Sequence, residues 1–231
     1  MIIQIMSNLF EEGYLRREKY TLLSPFFSNG NVAFRREALD QVAPYDDNCY
    51  SGEDQDMCFR LAKAGWELYF ARDAVVKHKS RTTVRAFMRQ WFNYGFHHPY
   101  LFKKHGFRGL RIYRPGNRSD TSAIYKSLLS AVFPFSILIF LTPFLGIHIL
   151  LALAIIFAAV GLHIPAIVCG VATLAVALYY FGADVDVKSP FKTCAFVFFR
   201  YVVNLALLVG GLLGGLKRGT IYISATFDYK G

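Results

Sequence analysis

The residues best suited to catalytic chemistry form an acidic cluster at positions 51–60, which reads Ser-Gly-Glu-Asp-Gln-Asp-Met-Cys-Phe-Arg. The carboxylates of Glu53 and Asp54 are the strongest candidates in the chain, and Asp56 follows two residues later. Acids at the start of a helix also have a simpler explanation, because the unpaired backbone N–H groups there carry partial positive charge. On this segment alone, that simpler interpretation is favoured.

The cluster opens a predicted amphipathic helix. Its apolar residues recur at helical spacing: Met57, Cys58, Leu61 and Ala62. Ser51 is the predicted N-cap, with Asp54 three residues later, and Gly65 ends the run. The sequence therefore predicts that the carboxylates stand at the N-terminus of a helix whose apolar face is buried.

The flanking segments predict an α/β arrangement around this helix. Residues 28–31 (Ser-Asn-Gly-Asn) have turn chemistry and lead into a short predicted strand at 32–34, after which a helix begins at Arg35. After the acidic helix, the pattern predicts a strand at 66–70 and a second one at 74–78 that ends in His78. This order of elements is typical of the second half of an α/β domain.

Composition divides the chain near Arg118. With 54% hydrophobic and 16% aromatic residues the chain is too apolar for an ordinary soluble protein, and most of its charge precedes Asp120. Positions 77–118 hold eleven Lys or Arg residues and no Asp or Glu. A basic block beside apolar runs indicates a cytoplasmic membrane flank that attracts anionic lipids or phosphorylated substrates. No nucleic-acid-binding motif accompanies it, which argues against a nucleic-acid partner.

The second half predicts a membrane region at residues 119–231. Four apolar runs have lengths that fit a bilayer, at 125–141, 144–160, 165–181 and 194–216, and both termini are then cytoplasmic. Three spans remain an alternative, because the second run is short. Residues 84–96 predict a basic amphipathic helix in the membrane interface. The small-residue pairs Gly210 with Gly214 and Gly211 with Gly215 predict helix packing.

The order of these motifs resembles the C-terminal half of membrane-bound family 2 glycosyltransferases, which are inverting enzymes of the GT-A fold. The matching segments are Ser-Asn-Gly-Asn-Val-Ala-Phe-Arg-Arg at 28–36, Pro-Tyr-Asp at 44–46, Gly-Glu-Asp-Gln-Asp at 52–56, Ala-Val-Val-Lys-His at 74–78 and Arg-Gln-Trp-Phe-Asn-Tyr-Gly at 89–95. The match covers roughly residues 28–107. Each segment is weak alone, and the five in this order and spacing are strong.

The resemblance implies a fold class and a set of roles. The fold would be α/β, as a partial GT-A domain of the nucleotide-diphospho-sugar transferase type at 1–118, followed by an α-helical transmembrane bundle at 119–231. Asp54 would be the general base that takes the proton of the acceptor hydroxyl, and Glu53 would help to hold the acceptor or the base. The other implied site residues are Asn29, Gly30, Asn31, Arg35, Gln90 and Trp91 for substrate, Lys79, Arg81 and Arg85 for the diphosphate, and His78 for a metal.

The resemblance also implies a divalent cation, Mg²⁺ or Mn²⁺, on a D-x-D motif that neutralises the donor diphosphate. Asp54-Gln55-Asp56 has the D-x-D sequence, but side chains two positions apart on a helix point about 200° apart and chelate one ion poorly. Asp184-Val185-Asp186 would lie on the far side of the membrane. The sequence is therefore expected to lack the donor-binding half, as a fragment of a longer enzyme.

Gln90 is not followed by the Arg-Trp pair of processive synthases, so the expected reaction is a single sugar transfer. The partners would be a nucleotide-sugar donor, a lipid-linked or glycan acceptor, and the lipids of the cell membrane. One alternative is a catalytically inactive membrane module that binds glycan lipids or a partner subunit. Another is a small transporter or channel, for which the spans offer only Arg200 and His148. His97, His98 and His105 are interpreted as interfacial or solvated, because no carboxylate is near them in sequence.

Overall fold

The computed structural model describes residues 13–15, 27–42, 44–71, 73–77, 79, 81–106, 110–113, 136–140, 142–182 and 190–224. The described elements are, in chain order, β1 (Gly13–Leu15), α1 (Arg36–Val42), α2 (Glu53–Lys63), β2 (Leu68–Phe70), α3 (Val84–Lys104), β3 (Leu110–Tyr113), β4 (Ser136–Phe140), α4 (Pro143–Ala159), α5 (His163–Gly182), α6 (Pro190–Lys217) and β5 (Thr220–Ile223). Helices and strands thus share one chain, and the parallel strand pairs involve β4 and β5, within the predicted membrane region.

The acidic helix α2 is held by an apolar core against α1 and β2. Met57 and Cys58 are fully buried and pack with Ala38 and Leu68. The predicted C-terminal end of α2 is confirmed. Gly65 adopts a positive φ of 98° there, and the Trp66 amide donates to the Leu61 carbonyl at 3.0 Å. Burial of one face of α2 leaves its N-terminal carboxylates at the edge of this core.

The N-terminus of α2 differs from the prediction. The N-cap is Gly52, with a left-handed φ of 87° and no side-chain cap, while Ser51 is buried one residue earlier. A Cβ at position 52 would lie 2.6 Å from the Leu101 side chain of α3. The close approach of α3 and the left-handed backbone therefore both require glycine here, and the prediction that Ser51 caps the helix is wrong.

Two predicted strands are extended segments without ladder pairing. Residues 32–34 and 74–77 are not strands in the described structure, and residue 78 lies outside it. The two segments meet instead through a side chain, since Asn31 Nδ2 donates to the Ala74 carbonyl at 2.6 Å. The described short sheet pairs β2 with β1, with Tyr14 opposite Tyr69 in antiparallel register.

A second sheet corrects the membrane prediction. It is parallel with the order β3-β4-β5, and Leu138 of the central strand pairs with Arg111 and Tyr222. Residues 136–140 were predicted as the end of a first membrane span at 125–141, and a helix is wrong for these five residues. Their Ser-Ile-Leu-Ile-Phe sequence suits a strand, and Leu138 and Tyr222 are buried with Phe102 of α3. The rest of that predicted span lies outside the described residues.

Helix α3 begins where predicted, at Val84, but extends to Lys104 rather than stopping near position 96. It lies beside α6 in the same direction, since Phe87 contacts Phe199 and Phe96 lies against Gly214. The helices approach so closely that a Cβ at Gly214 would collide with the Phe96 carbonyl oxygen. The pair Gly210 and Gly214 thus packs two helices together, as predicted, whereas Gly211 and Gly215 face strand β5 and not a helix.

The opposite face of α6 contacts the parallel sheet. A Cβ at Gly211 would lie 2.9 Å from the Tyr222 ring, and one at Gly215 would lie 2.7 Å from the Thr220 carbonyl oxygen. Strand β5 therefore runs back along α6 after the turn at Gly219, which has a positive φ of 66°. The C-terminal half of α6 is enclosed between α3 and β5.

Helices α4 and α5 form an antiparallel hairpin that covers the predicted spans at 144–160 and 165–181 to within two residues at each end. By length and composition, α5 and the 193–217 part of α6 are long and apolar enough to cross a bilayer, whereas α4 has 17 residues. The turn between the C-terminus of α4 and the N-terminus of α5 contains Gly161, whose φ is 79°.

The close contact between α3 and α6 gives a stability prediction. We expect Gly214→Ala to destabilise the fold by about 1–3 kcal/mol, because the new methyl group has no space beside the Phe96 carbonyl. The matched control is Gly170→Ala in α5, where a Cβ meets no atom within 4 Å and helix propensity favours alanine by up to about 1 kcal/mol. Denaturant unfolding of both variants measures the difference. Equal stabilities would contradict the close helix packing.

Candidate active site

Glu53 and Asp54 stand at the N-terminus of α2 against the loop at residues 28–31. The Asn29 side chain donates from Nδ2 to Glu53 Oε1 at 3.3 Å, and the backbone amide of Asn29 hydrogen-bonds the Asp54 carboxylate. The Tyr45 hydroxyl donates to Asn29 Oδ1 at 2.7 Å and fixes the amide orientation. Residues separated by 24 positions in sequence therefore meet at one carboxylate pair, and Gly30 and Asn31 lie in the same exposed loop.

Asp54 is electrostatically unusual. Burial raises its pKa to about 6, and the neighbouring Glu53 carboxylate acts in the same direction. Hydrogen bonds from the backbone amides of Gln55, at 2.8 Å, and of Asn29 oppose this rise without cancelling it. A carboxyl with a pKa near 6 is ionised at neutral pH and is a stronger proton acceptor than an ordinary aspartate.

Asp56 lies on the opposite side of α2 in a cationic environment. Its side chain is 1% exposed and accepts from His105 Nε2 at 2.7 Å, Arg60 Nε at 2.9 Å and Lys104 Nζ at 3.0 Å. Burial alone would raise the pKa of Asp56, but the three hydrogen bonds outweigh it and lower the pKa to about 2. This carboxylate is therefore a structural anion that joins α2 to the C-terminal end of α3.

The 42–46 loop is tied to the same cluster. Lys104 Nζ also contacts Asp46 Oδ2 at 2.8 Å, and the Tyr100 hydroxyl donates to the same carboxylate at 2.7 Å. Hydrogen bonding by Lys104 and Tyr100 holds the pKa of Asp46 well below its usual range. Arg60 also donates to the carbonyls of Val42 and Pro44. Tyr45, which orients Asn29, is therefore held between these contacts of Arg60 and the contacts of Asp46 with Lys104 and Tyr100.

Other predicted site residues lie elsewhere. Gln90 and Trp91 sit on α3, where Gln90 donates to the Tyr94 hydroxyl and Trp91 packs on Phe87. The contact of α3 with the start of α2 is at Leu101, eleven residues later, which is about 16 Å along a helix. The described contacts of Gln90 and Trp91 are thus with other residues of α3, and their role toward substrate stays a prediction.

The predicted basic residues are spread over an exposed surface. Lys79, Arg81, Arg85 and Arg35 are all solvent-exposed. Lys79 and Arg81 lie five and seven residues after Ala74, whose carbonyl accepts from Asn31 of the site loop. His78, the predicted metal ligand, lies outside the described residues. The role of these residues stays a prediction.

Sequence reasoning missed most of the Asp56 cluster. His105 was expected to be interfacial or solvated, yet it contacts a carboxylate 49 positions away. Asp46 appeared only inside the Pro-Tyr-Asp segment, and Tyr100 and Lys104 carried no signal of their own. The single usable hint was the Arg60 spacing, because an acid and an arginine four apart on a helix pair readily.

Comparison with known proteins gives the family of the chain. The model of glycosyl transferase family group 2 matches residues 17–173, more than half of the chain. The chain belongs to this family. The prediction of a family 2 glycosyltransferase is therefore confirmed, and membership implies the nucleotide-diphospho-sugar transferase fold.

Two curated relatives in this comparison act in O-antigen synthesis by name. The chain is 28% identical to the O-antigen chain rhamnosyltransferase RfbN of Salmonella typhimurium, over 56% of this chain and 41% of the relative. It is 28% identical to the O-antigen chain rhamnosyltransferase WbaN of Salmonella anatum, over 52% and 39%. The chain thus spans about two fifths of the length of these relatives.

A third relative is the pre-mycofactocin glycosyltransferase of Mycobacterium tuberculosis, 36% identical over 28% of this chain and 14% of the relative. No solved structure matches the chain at a significant level. The matched proteins are named for sugar transfer, which agrees with the predicted enzyme class.

Members of this family generally use a divalent cation. Within the described ranges, no three His, Cys, Asp or Glu side chains are placed to hold a metal ion. Asp56 already accepts hydrogen bonds from Arg60, Lys104 and His105, and Asp54 faces the Asn29 loop on the other side of the helix. These residues do not fit a cation site.

The Asp56 cluster gives a prediction with an internal control. Asp56→Asn should destabilise the fold by about 1.5–3 kcal/mol, because it removes the buried anion to which the partly exposed Arg60 and Lys104 hydrogen-bond. Asp40 pairs with Arg36 at the same helical spacing, but its side chain is 59% exposed. Asp40→Asn should therefore cost less than about 0.5 kcal/mol. Chemical unfolding at neutral pH measures both.

The same cluster should be sensitive to acid. Because the pKa of Asp56 is lowered to about 2, its stabilisation is complete above pH ~4 and disappears as the pH falls towards 2. Asp56→Asn should flatten the stability profile in this window. A profile of the unsubstituted chain that is already flat there would contradict the role of Asp56.

Proposed function

We propose that this chain carries the acceptor-side catalytic carboxylates of an enzyme that transfers a sugar from a nucleotide-sugar donor. The single observation that supports the role most strongly is the environment of Asp54. Its carboxyl is desolvated, has a pKa near 6, and is paired with Glu53 beneath the Asn29 loop. A base held near neutral pKa is what proton removal from an acceptor hydroxyl requires.

In the proposed reaction, the acceptor hydroxyl oxygen forms a bond to the anomeric carbon of the donor sugar. The bond from that carbon to the diphosphate oxygen breaks, and the nucleoside diphosphate leaves with the electron pair. The hydroxyl proton passes to Asp54, and the anomeric configuration inverts. Glu53, held by Asn29, would orient the acceptor or the base.

The proposed acceptor is a lipid-linked or cell-surface glycan. The names of the two Salmonella relatives support a polysaccharide of the cell envelope as the product and make nucleotide-activated rhamnose the first donor to test. Transfer of one sugar to such an acceptor would take place at the cell membrane. Membrane association is supported by the apolar helices α5 and α6.

Donor binding is proposed to need more than the described residues. Lys79, Arg81 and Arg85 are exposed cations that would contact the departing diphosphate. The chain spans about two fifths of its relatives, and we propose that the family's divalent cation and the rest of the donor site are held by residues outside the described ranges. The predicted contacts of Gln90, Trp91, Arg35 and His78 with substrate or metal remain proposals.

The decisive variant is Asp54→Asn. Loss of the base should reduce transfer by about 10²–10⁴-fold while nucleotide-sugar affinity stays unchanged. The assay follows labelled sugar into a glycolipid extract, using the chain and, where its reading frame extends upstream of Met1, the extended protein. Asp40→Asn is the control, since that carboxylate is exposed on α1. Unchanged turnover of the Asp54→Asn variant would contradict the assignment of Asp54 as the base.

The pH profile provides an independent check. Because the pKa of Asp54 is raised to about 6, kcat/KM should be constant above that pH. It should fall about tenfold per pH unit below it. Measuring transfer between pH 4.5 and 8 (roughly the range in which His and raised carboxyls titrate) tests this. An acidic limb near pH ~4 would indicate an ordinary carboxylate and contradict the proposed desolvation.

A further inference from the structure

Asn29 connects the carboxylate pair to the rest of the site. Its Nδ2 donates to Glu53 Oε1 at 3.3 Å, and its backbone amide hydrogen-bonds the Asp54 carboxylate. Its Oδ1 accepts from the Tyr45 hydroxyl at 2.7 Å. Three polar groups of Asn29 are therefore directed at protein partners, which is the arrangement of a residue that holds other residues in place.

The Tyr45 hydroxyl selects the orientation of the Asn29 amide. A side-chain amide has two nearly equivalent orientations, related by a half-turn about its last torsion. One orientation places the NH₂ group against Glu53, and the other places the carbonyl oxygen against a carboxylate that, when ionised, can only accept. Because the hydroxyl donates to Oδ1, it stabilises the first orientation. Without the hydroxyl, the amide loses the contact that distinguishes its two ends on the side away from Glu53.

The loop that carries Asn29 has little else to hold it. Residues 28–31 are Ser-Asn-Gly-Asn and all four are exposed. The Asn31 amide closes the turn by donating to the Ser28 carbonyl at 3.1 Å, and the Asn31 side chain donates to the Ala74 carbonyl at 2.6 Å. A surface turn without apolar side chains takes its position from such polar contacts. The bonds of Asn29 therefore decide where the tip of the loop stands relative to α2.

Tyr45 can hold this loop because the residues on both sides of it are fixed. The carbonyl of Pro44 accepts from Arg60 Nη2 at 3.2 Å, and the proline ring restricts the backbone just before Tyr45. On the other side, Asp46 Oδ2 lies 2.8 Å from Lys104 Nζ. Arg60 and Lys104 are also the cations that contact Asp56, so the buried ion cluster extends its hold to Tyr45.

We propose that Tyr45 is a positioning residue that acts through Asn29 on the carboxylate pair. The hydroxyl sets the amide of Asn29, and the side chain and backbone of Asn29 set Glu53 and Asp54. Asn29 is then a positioning residue as well, and not the substrate contact that the family resemblance implies. The proposal rests on the base role proposed above for Asp54.

The Asp54 carboxyl reports on this set of contacts. The titratable groups that face it are Glu53 on its own helix and Tyr45 from the 42–46 loop. Burial and Glu53 raise the pKa of Asp54, whereas the Asn29 amide lowers it. Loss of the amide contact disfavours the ionised carboxylate, so the pKa of Asp54 should rise further above about 6. A residue that only stabilised the fold would leave that pKa unchanged.

Carbon-13 NMR of the aspartate side-chain carboxyls follows this titration in the full chain in detergent micelles, without any need for turnover. Asp54→Asn identifies the signal. The titration midpoint of Asp54 should move to higher pH by roughly half a pH unit or more in Tyr45→Phe and in Asn29→Ala. Tyr69→Phe is the matched control, because Tyr69 of β2 is 48% exposed and Tyr45 is 39% exposed. An Asp54 midpoint that stays in place in both site variants overturns the proposal.

Kinetics separate a positioning residue from a substrate contact. The transfer assay uses the same protein as for Asp54→Asn. In Tyr45→Phe, kcat should fall about tenfold while KM for the acceptor changes less than about twofold, because a small misplacement of a base slows the reaction without weakening binding. The acidic limb of kcat/KM should move to higher pH with the NMR midpoint. A raised KM at unchanged kcat makes Tyr45 a substrate contact and overturns the positioning role.

A double variant tests the route through Asn29. Because the hydroxyl acts only through that amide, Tyr45→Phe should have no further effect on kcat when Asn29→Ala is already present. Losses that multiply in the double variant contradict this route.

The base role and the positioning role fail separately. If Asp54→Asn keeps its turnover, the base role is wrong whatever the result for Tyr45. If Asp54→Asn loses turnover while Tyr45→Phe matches Tyr69→Phe in kcat and in the Asp54 midpoint, the base role stands and the positioning role alone is overturned.

Discussion

The buried carboxylate of Asp56 is the interaction on which the arrangement of the site depends. A charge that is 1% exposed is tolerated only with compensation, and here the cations of Arg60 and Lys104 and a hydrogen bond to the His105 ring supply it. Lys104 and His105 come from the end of α3, so the ion cluster fixes the acidic helix relative to the long helix. The contacts of Asp56 therefore also fix the position of Glu53 and Asp54 on the other side of α2.

Two carboxylates two positions apart on α2 have opposite environments. Asp54 faces the Asn29 loop, where burial raises its pKa to about 6, and Asp56 faces cations that lower its pKa to about 2. The helical geometry that separates their directions is the same geometry that argued against a shared metal ion. One helix turn can therefore hold a proton acceptor and a permanent structural anion.

Helix α6 connects the globular part to the hairpin of α4 and α5. Its Gly210 and Gly214 allow α3 to approach, and its Gly211 and Gly215 allow β5 to approach, so two opposite faces are covered. Nearer its start, Tyr201 packs with Phe144 and Tyr180 of the hairpin. A long apolar helix thus serves as a core element over one half and as an attachment point over the other.

Local signals in the sequence were sufficient for several elements. The spacing of Met57, Cys58, Leu61 and Ala62, with Gly65 behind them, determined helix α2 and its buried face, and the small residues of α6 indicated close helix packing. The motif order around Glu53 and Asp54 identified the family, because five short segments in a fixed order constrain one another. These features depend on residues near each other in the chain, where periodicity and turn chemistry act.

Contacts between distant segments decided the rest. Residues 136–140 are as apolar as a membrane span, and only their pairing with β3 and β5 makes them a strand. Likewise, residues 32–34 and 74–77 have strand-like composition but meet through the Asn31 side chain instead of a ladder. The partners of Asp56 lie up to 49 positions away. The sequence by itself determined the acidic helix and, through the family resemblance, named Asp54 as the base candidate. The tertiary structure decided that the Asp54 carboxyl is desolvated and that Asp56 is a paired structural anion, because desolvation and charge pairing exist only after the chain has folded.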